Sequence, residues 1–336
     1  SIVYATTIGQ ENINNDFVFI TSKGFYKKTS VDKFITAYSK IAALKLKNDE
    51  TIVMVDTISK DNESRFLNIT LRSALNFIVE EPETQDGERM AATSKFVYLP
   101  NKDEIMVAEI VNEGVYAEFS LDINKKGVIK KKNSGKKITS NDDILLFTSK
   151  GSVLKVSAAL FENLEENYDL TKYYEGFLKN DEIIKVVYTN DYQGIVVFST
   201  ELGYIKKTRL EEFKKDEGIT LGYKLKTADD KLVRVEVIED DIDYIMVTKK
   251  GMALRINTSS VSEMGKVASG VSAISLRDED KVIYCNVINK EYDIKMISKN
   301  KEEKVINTKE LNTQNRATRG KSVFTVGMDD YVNKIN

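Results

Sequence analysis

One short pattern recurs along the chain and constrains its fold more than any other feature. An apolar strand is followed by a polar tight turn, usually closed by glycine, and then by a second strand that begins with basic residues. Alternating apolar residues fill one face of a sheet, and Gly or Asn supplies the positive φ that a tight turn needs, so each copy predicts a β-hairpin. The copies lie at 16–29, 66–77, 144–155, 195–208, 244–255 and 293–304.

The copies recur at a regular distance. Their turn positions, such as Gly203, Gly251 and Asn300, lie about fifty residues apart, and each repeat continues with two further apolar stretches, as at 41–55. Such a period with about four strands per repeat is typical of a bladed ring. The sequence therefore predicts an all-β fold of six units in a single domain, 1–336. Its approximate blades are 1–62, 63–112, 113–190, 191–240, 241–290 and 291–336.

The register of the repeat breaks once. Between the second and third copies lie about 78 residues, where one unit needs about fifty. The excess contains an extra hairpin at 116–132. Two interpretations stay open: this hairpin is an insertion, or it is part of a blade whose strands are exchanged with a neighbour. A short helix is possible within 156–166.

The composition argues against most catalytic chemistry. The chain has no histidine and one cysteine, which excludes the usual Cys/His zinc sites and thiol–imidazole catalysis. No glycine-rich phosphate loop occurs either, which leaves a nucleotide site without support. From these absences together we expect no catalytic residue, cofactor or metal. Cys285, in an apolar run, is predicted to be a buried inert thiol. We expect no membrane span, and a chain that begins with Ser1 suggests a fragment of a longer protein.

Two later segments resemble a known family. Residues 264–282 match the form M-G-x-x-x-x-G-V-x-x-I-x-L with a trailing D-x-V, and 314–321 (QNRATRGK) is similar to an R-A-T-[KR]-G segment about fifty residues further on. The hairpin phrase T-S-K-G recurs as well. In these features the chain resembles the C-terminal domain of the A subunits of bacterial type IIA topoisomerases, the family that comprises DNA gyrase and topoisomerase IV.

The resemblance implies a six-bladed β-pinwheel whose basic outer rim carries bent double-stranded DNA. It implies that the catalytic tyrosine and the breakage–reunion core belong to an N-terminal part of the same protein, and the ATPase site to a B subunit. This chain would then bind and bend DNA, present a segment for strand passage and catalyse nothing itself. We expect a monomeric fragment in the cytoplasm, associated with the nucleoid.

One departure from the family bears on the type of enzyme. Gyrase A subunits carry a Q-R-R-G-G-K-G box in the first blade, and no intact copy occurs here. The nearest is 314–321 in the last unit, and 214–218 is a poorer remnant. This favours a protein of the topoisomerase IV type, and the alternative is a gyrase A subunit. A non-catalytic protein-interaction propeller is a further alternative, which a net charge of −2 supports.

Lys and Arg side chains are the candidates for DNA contact, because phosphate contacts supply affinity that does not depend on sequence. The densest basic stretch is 125–137, and a second patch lies at 316–321. The competing interpretation is that lysines near turns are merely solvated and guard edge strands. The predicted contact residues are Lys27, Lys28, Lys125, Lys126, Lys130, Lys131, Lys132, Lys136, Lys137, Lys206, Lys207, Arg255, Lys266, Arg316, Arg319 and Lys321.

Overall fold

The repeats fold into short antiparallel sheets. The computed structural model describes residues 2–47, 49–60, 65–84, 87–101, 103–277, 279–327 and 329–336. It divides into two compact units. The first comprises Ser1–Ile123, Val128–Asp143 and Val156–Gly176, and the second Asn124–Gly127, Ile144–Lys155 and Phe177–Asn336.

The described residues contain 26 strands and little helix. In chain order the strands are β1 (Asp16–Thr21), β2 (Phe25–Ser30), β3 (Ile52–Ile58), β4 (Phe66–Leu71), β5 (Asn76–Glu80), β6 (Ser94–Lys95), β7 (Ile105–Val111), β8 (Glu118–Ile123), β9 (Val128–Lys132), β10 (Ile138–Thr139), β11 (Asp143–Thr148), β12 (Ser152–Ser157), β13 (Tyr168–Asp169), β14 (Ile183–Thr189), β15 (Ile195–Thr200), β16 (Tyr204–Arg209), β17 (Gly218–Leu221), β18 (Leu232–Ile238), β19 (Asp243–Thr248), β20 (Met252–Asn257), β21 (Val271–Ser272), β22 (Val282–Val287), β23 (Asp293–Ser298), β24 (Glu303–Asn307), β25 (Lys321–Ser322) and β26 (Val332–Ile335). The helix α1 spans Leu170–Tyr173, and 3₁₀ helices span Val31–Phe34, Ala158–Phe161, Leu210–Phe213, Thr258–Ser260 and Thr308–Glu310.

Successive repeats exchange strands. In the second unit, β16 of the sheet β18-β15-β16 also pairs with β21, which follows the next hairpin, β19–β20. The same rule holds for β14-β11-β12-β17 and β22-β19-β20-β25, while β24-β23-β26 has three strands. In the first unit it holds for β3-β1-β2-β6 and β10-β8-β9-β13, whereas β5-β4-β7 has three strands. Each four-stranded sheet thus takes its last strand from the following repeat.

The extra hairpin at 116–132 forms a sheet of its own. Its strands β8 and β9 lie at the centre of β10-β8-β9-β13, and β9 takes its outer strand β13 from beyond the next hairpin. The range 113–190, predicted as one blade, therefore holds two hairpins, each at the centre of a different sheet. Across the described residues there are seven sheets, one more than the six expected units. The count differs because the sequence analysis expected this hairpin to be an insertion or part of an exchanged blade, and not a unit of its own.

The hairpin turns need a left-handed residue. Gly203 and Gly251 supply it with φ of +83° and +76°. In the second and last repeats the residues with positive φ are Ala74 (+66°) and Lys301 (+69°). Each follows by one residue the turn position that the repeat pattern predicts. The possible short helix within 156–166 is a 3₁₀ helix at Ala158–Phe161.

The apolar faces of the hairpins form the cores. In the second unit Phe147 packs edge-on against Phe198 and Phe213, with ring centroids 5.7 and 5.3 Å apart. Phe198 and Tyr223 are completely buried in the same cluster. Burying an aromatic side chain stabilises a fold by roughly 1.5–3 kcal/mol, so each hairpin depends on its neighbour.

The prediction that Cys285 is a buried thiol is confirmed, since Cys285 lies in a second buried cluster of the same unit. In the first unit Tyr26 is fully buried. Among the described residues, no helix is long and apolar enough to cross a membrane. No cluster of His, Cys, Asp and Glu within the described ranges is arranged to hold a metal.

Candidate nucleic-acid interface

The basic residue four positions after each left-handed turn glycine holds two repeats together. In the second unit Lys207 occupies this position, paired across the hairpin with Val197. Its side chain is buried, and its Nζ lies 2.5 Å from Oδ1 of Asp241, which also accepts a hydrogen bond of 2.9 Å from Oγ1 of Thr258. Thr258 begins the 3₁₀ helix of the next repeat. Burial alone would raise the pKa of Asp241, but the hydrogen bonds from Lys207 and Thr258 outweigh it and hold this pKa below its usual range.

Arg255 has the same role one repeat later. It pairs with Ile245 across the hairpin, at the register position that Lys207 occupies opposite Val197. Its NH1 donates to the backbone oxygen of Thr308 at 3.2 Å, and Thr308 begins the last 3₁₀ helix. Its NH2 donates to Oε1 of Glu291 at 3.0 Å. The guanidinium thus already donates hydrogen bonds to groups of the protein.

Lysines at this position elsewhere make related contacts. Lys155 donates to the backbone oxygen of Lys214 at 2.6 Å, directly after the 3₁₀ helix Leu210–Phe213. In the first unit Lys131 donates to the backbone oxygen of Glu162 at 2.6 Å, directly after the 3₁₀ helix Ala158–Phe161. The basic residue that recurs in the second strand of the hairpin therefore binds the next repeat, and this contact explains why it recurs.

A second recurring lysine is buried one position earlier. Lys206 has no exposed surface, and its ammonium donates to three backbone oxygens. The acceptors are Gly222 at 2.8 Å, Lys266 at 2.6 Å and Gly265 at 3.3 Å. Gly222 belongs to the loop of its own repeat, and the other two belong to the loop 264–270 of the next. Lys206 thus holds two loops together.

The surroundings of Lys206 have opposing effects on its charge. The ammonium lies 4.9 Å from the ring centroid of Phe198 and 5.0 Å from that of Tyr223. These rings and the three carbonyl oxygens favour the charged form. Burial acts against it and lowers the pKa of Lys206 to about 7.

Lys27 repeats this arrangement in the first unit. It lies three positions after Gly24, is 3% exposed, and donates to the backbone oxygens of Ala43 and Arg89. Burial also lowers its pKa. Lys27, Lys206 and Lys207, which the sequence predicts to contact DNA, are instead buried, and their ammonium groups already have acceptors in the protein.

The basic segment that includes the end of the extra hairpin is the most exposed candidate patch of the first unit. Lys130, Lys132, Lys136 and Lys137 are all exposed. Lys132 forms an ion pair of 2.9 Å with Asp122, about half of whose side chain is also exposed. Exposed pairs of this kind contribute little, so phosphate can compete for the lysine. Lys131 is exposed too, although its Nζ has the backbone acceptor described above.

The remaining lysines of this stretch and Lys28 differ in accessibility. Lys125 and Lys126 are exposed in the second unit, and Lys125 lies 3.7 Å from Oε1 of Glu182. Lys28 is half-buried and lies 3.7 Å from Oε1 of Glu81. Lys28 is therefore a weaker candidate than its basic sequence context indicates.

The segment 314–321 divides into structural and exposed residues. Arg316 donates from Nε to the backbone oxygen of Ser260 and from NH1 to that of Ser272, each at 2.8 Å. Arg319 and Lys321 are exposed, and the Nζ of Lys321 lies 3.4 Å from the backbone oxygen of Glu310.

Lys266 occupies the equivalent place to Arg316 in the preceding loop. It is half-buried and forms an ion pair with Asp216. Both residues therefore hold their loops in shape, whereas Arg319 and Lys321 remain available to solvent.

The acidic partners of these ties were not predicted from the sequence. They come from the acidic run 239–243, which supplies Asp241 to Lys207 and Asp243 to Arg255, the latter with Oδ2 at 2.8 Å from Nε. The position of this acidic run could have indicated these partners. The run lies at the start of the β19–β20 hairpin, which is the next hairpin after the strand of Lys207.

Comparison with known proteins gives one family and several relatives. The family described as DNA gyrase C-terminal domain, beta-propeller, matches residues 15–59, 142–164, 194–216, 243–289 and 304–335, which is just over half of the chain. The DNA gyrase A subunit of Haloquadratum walsbyi is 31% identical over 156 residues, covering 41% of this chain and 17% of that protein. The DNA topoisomerase 4 A subunit of Staphylococcus epidermidis is 27% identical over 148 residues, covering 42% and 18%. The matched part is thus less than a fifth of either relative.

Two solved structures have a similar fold. The C-terminal domain of DNA topoisomerase IV aligns with a TM-score of 0.54 and 18% identity, covering 96% of this chain and 77% of that one. The E. coli ParC C-terminal domain aligns with a TM-score of 0.50 and 12% identity, covering 81% and 98%.

Proposed function

Because the chain belongs to the DNA gyrase C-terminal domain family of β-propellers, we propose that it binds and bends double-stranded DNA for a type IIA topoisomerase. The resemblance seen in the sequence is confirmed by this membership. In the proposal the sheets are blades of a β-pinwheel, and the chain carries no catalytic residue, cofactor or metal of its own. The intact protein passes one DNA segment through another with ATP, using an N-terminal breakage–reunion domain and a B subunit.

The observation that carries the DNA-binding proposal is the exposed basic segment of the first unit. Lys130, Lys132, Lys136 and Lys137 follow one another within eight positions, and all are exposed. A phosphate backbone presents a negative charge every few ångströms, so closely spaced exposed cations suit it. Lys125, Lys126, Arg319 and Lys321 complete the proposed contact set, with Lys28, Lys131, Arg255, Lys266 and Arg316 in supporting structural roles.

The type of topoisomerase is inferred from the sequence. Relatives of both types are similar to the chain, so similarity alone does not separate them. The absence of an intact Q-R-R-G-G-K-G box favours the topoisomerase IV type, which guides a segment, over a gyrase A subunit that wraps DNA. A protein-interaction propeller is the candidate from another class.

Binding to a duplex of about 150 base pairs, roughly one persistence length, tests the proposal. End-to-end FRET reports bending, and affinity is measured at several salt concentrations. Salt-sensitive binding with the ends drawn together is the expected result. Binding without bending would support guidance in the manner of topoisomerase IV, and no binding at low salt would favour a protein-interaction propeller.

A set of substitutions locates the contact. Changing Lys130, Lys132, Lys136 and Lys137 to Gln should reduce the salt slope of log K by about 0.9 for each lysine that contacts phosphate. The control changes Lys301, Lys304 and Lys309 to Gln, which are also exposed. Equal effects per charge in the two variants would mean that total charge, and not this segment, governs binding.

A further inference from the structure

A cavity of about 250 Å³ lies within the second unit, beside the turn of the β19–β20 hairpin. Met252, Ile274 and Leu276 give it an apolar wall. Its position is fixed by backbone contacts, since the amide of Ser275 donates to the oxygen of Thr318 at 2.8 Å. The loop 314–320 is thereby held across the segment that follows β21.

Three cations line the same cavity: Lys250, Arg277 and Arg319. All three residues are exposed. Within the part of the chain that the structure describes, neither guanidinium has an ion-pair partner. One acid, Asp280, also lines the cavity, but it is buried, and its Oδ1 accepts from the backbone amides of Lys250 and Lys281 at 2.9 Å each. Among the described residues, the lining of this cavity, called here the cationic pocket, therefore has three cations and one acid.

The preceding repeat shows that the fold does not require these cations. In that repeat Asp230 accepts a hydrogen bond of 3.0 Å from the amide of Leu202. Asp280 accepts the equivalent bond of 2.9 Å from the amide of Lys250, so the two repeats can be superimposed at this place. On this alignment Leu202 stands for Lys250, Thr227 for Arg277 and Ser269 for Arg319. The equivalent place thus has three neutral residues.

We propose that the cationic pocket binds one phosphate with its attached deoxyribose from a DNA strand. The guanidinium groups of Arg277 and Arg319 and the ammonium of Lys250 hold the phosphate, and the sugar lies against the apolar wall. Arginine suits this task because its donors match the oxygens of a phosphate two at a time. The cavity is smaller than the roughly 300–1,000 Å³ of sites for whole cofactors, so it fits this fragment of a nucleic acid.

The proposal rests on the proposed DNA-binding function for the source of the ligand, though not for its chemistry. Isothermal titration with 2-deoxyribose 5-phosphate and with inorganic phosphate tests the chemistry directly. We expect the sugar phosphate to bind more tightly than inorganic phosphate, because only the former covers the apolar wall. In Arg277→Gln/Arg319→Gln the affinity for the sugar phosphate should fall at least tenfold.

The matched control is Lys290→Gln/Lys304→Gln, which removes the same charge from two other exposed residues of this unit. It should bind the sugar phosphate within twofold of the wild type. Thermal melting of both variants verifies folding, and Met252→Gln, which makes the wall polar, gives a second measurement by selectively weakening the sugar phosphate. Equal affinity for the two ligands, or equal losses in the variant and the control, would overturn the pocket.

Duplex binding distinguishes the sources of the ligand. If DNA occupies the pocket, Arg277→Gln/Arg319→Gln weakens duplex binding several-fold more than Lys290→Gln/Lys304→Gln does. If only the sugar phosphate responds, a free sugar phosphate is the ligand and the DNA part of the proposal is refuted. If the wild type binds no duplex at all, the proposed function fails, while the titration still decides whether the pocket takes a sugar phosphate.

Discussion

Replacing Lys206 with leucine should loosen two loops at once. The substitution is well matched to the site, because Leu254 occupies the equivalent position one repeat later: Lys206 pairs with Phe198 across its hairpin, and Leu254 with Met246. The variant keeps an apolar stem between the rings but removes the donor from three backbone oxygens. Those oxygens belong to Gly222, Gly265 and Lys266.

The magnitude follows from two opposing effects. Three hydrogen bonds from a charged donor contribute about 5–9 kcal/mol, and removing a buried ammonium recovers several kcal/mol of desolvation. The net loss of stability is about 2–3 kcal/mol and is confined to the loops whose oxygens lose their donor. Amide hydrogen exchange within the loop 264–270, for example at Ala268, should accelerate by about thirtyfold to 150-fold. Unchanged exchange in this loop would refute the assignment of Lys206 as its clamp.

The same variant tests the charge of Lys206. Burial lowers its pKa to about 7, below the value near 10.4 of a lysine in an unfolded chain. Between these values the unfolded state binds more protons, so the wild-type free energy of unfolding should rise with pH from about 7 to 10. Lys206→Leu lacks this contribution and should show a flatter profile. Identical slopes in urea denaturation would mean that the carbonyl oxygens and rings keep the ammonium charged.

Three further substitutions or treatments test other parts of the fold. Gly251→Ala should lower the free energy of unfolding by about 3 kcal/mol or more, because its Cβ would lie 2.0 Å from a backbone oxygen. Gly218 also has a positive φ but open space around it, so Gly218→Ala should cost about 1 kcal/mol. Similar losses in the two variants would contradict the packing argument. Asp241 has a pKa below its usual range, so the stability it gains from Lys207 is present above about pH 4 and is lost in stronger acid. The melting-temperature difference between the wild type and Lys207→Gln should therefore shrink from pH 5 to pH 2, and a constant difference would argue against the ion pair. Burial raises the pKa of Cys285 to about 12, so iodoacetamide at pH 8 should label it only after unfolding, and rapid labelling of the folded chain would show that the thiol is accessible.

The hairpins were predictable from the sequence because their pattern is local. Alternating apolar residues and a glycine turn specify β15 and β16, or β19 and β20, without reference to the rest of the chain. The pairing of β21 and β25 was not predictable, because each is only two residues long and pairs with a strand of the preceding repeat. The extra sheet around β8 and β9 was seen as a hairpin but not as a full sheet, since its outer strands β10 and β13 are equally short.

The candidate site was only partly predictable, for a physical reason. A lysine in an alternating strand has the same sequence signal whether its ammonium meets water or backbone oxygens. Lys130 and Lys206 both lie three positions after a turn glycine, yet the first is exposed and the second is fully buried. The difference comes from the loops that cover Lys206, which belong to other parts of the sequence.

Periodicity therefore separates structural cations from candidate contact cations in this chain. Basic residues that recur at one hairpin position, such as Lys155, Lys207 and Arg255, recur because they tie one repeat to the next. Exposed cations that are neutral in the neighbouring repeat, such as Arg277 and Arg319, are not needed for that purpose, unlike the buried Lys206, whose counterpart one repeat later is Leu254. Exposed charge that folding does not require is where selection for a ligand can act, so DNA contacts should be sought among the exposed lysines and arginines.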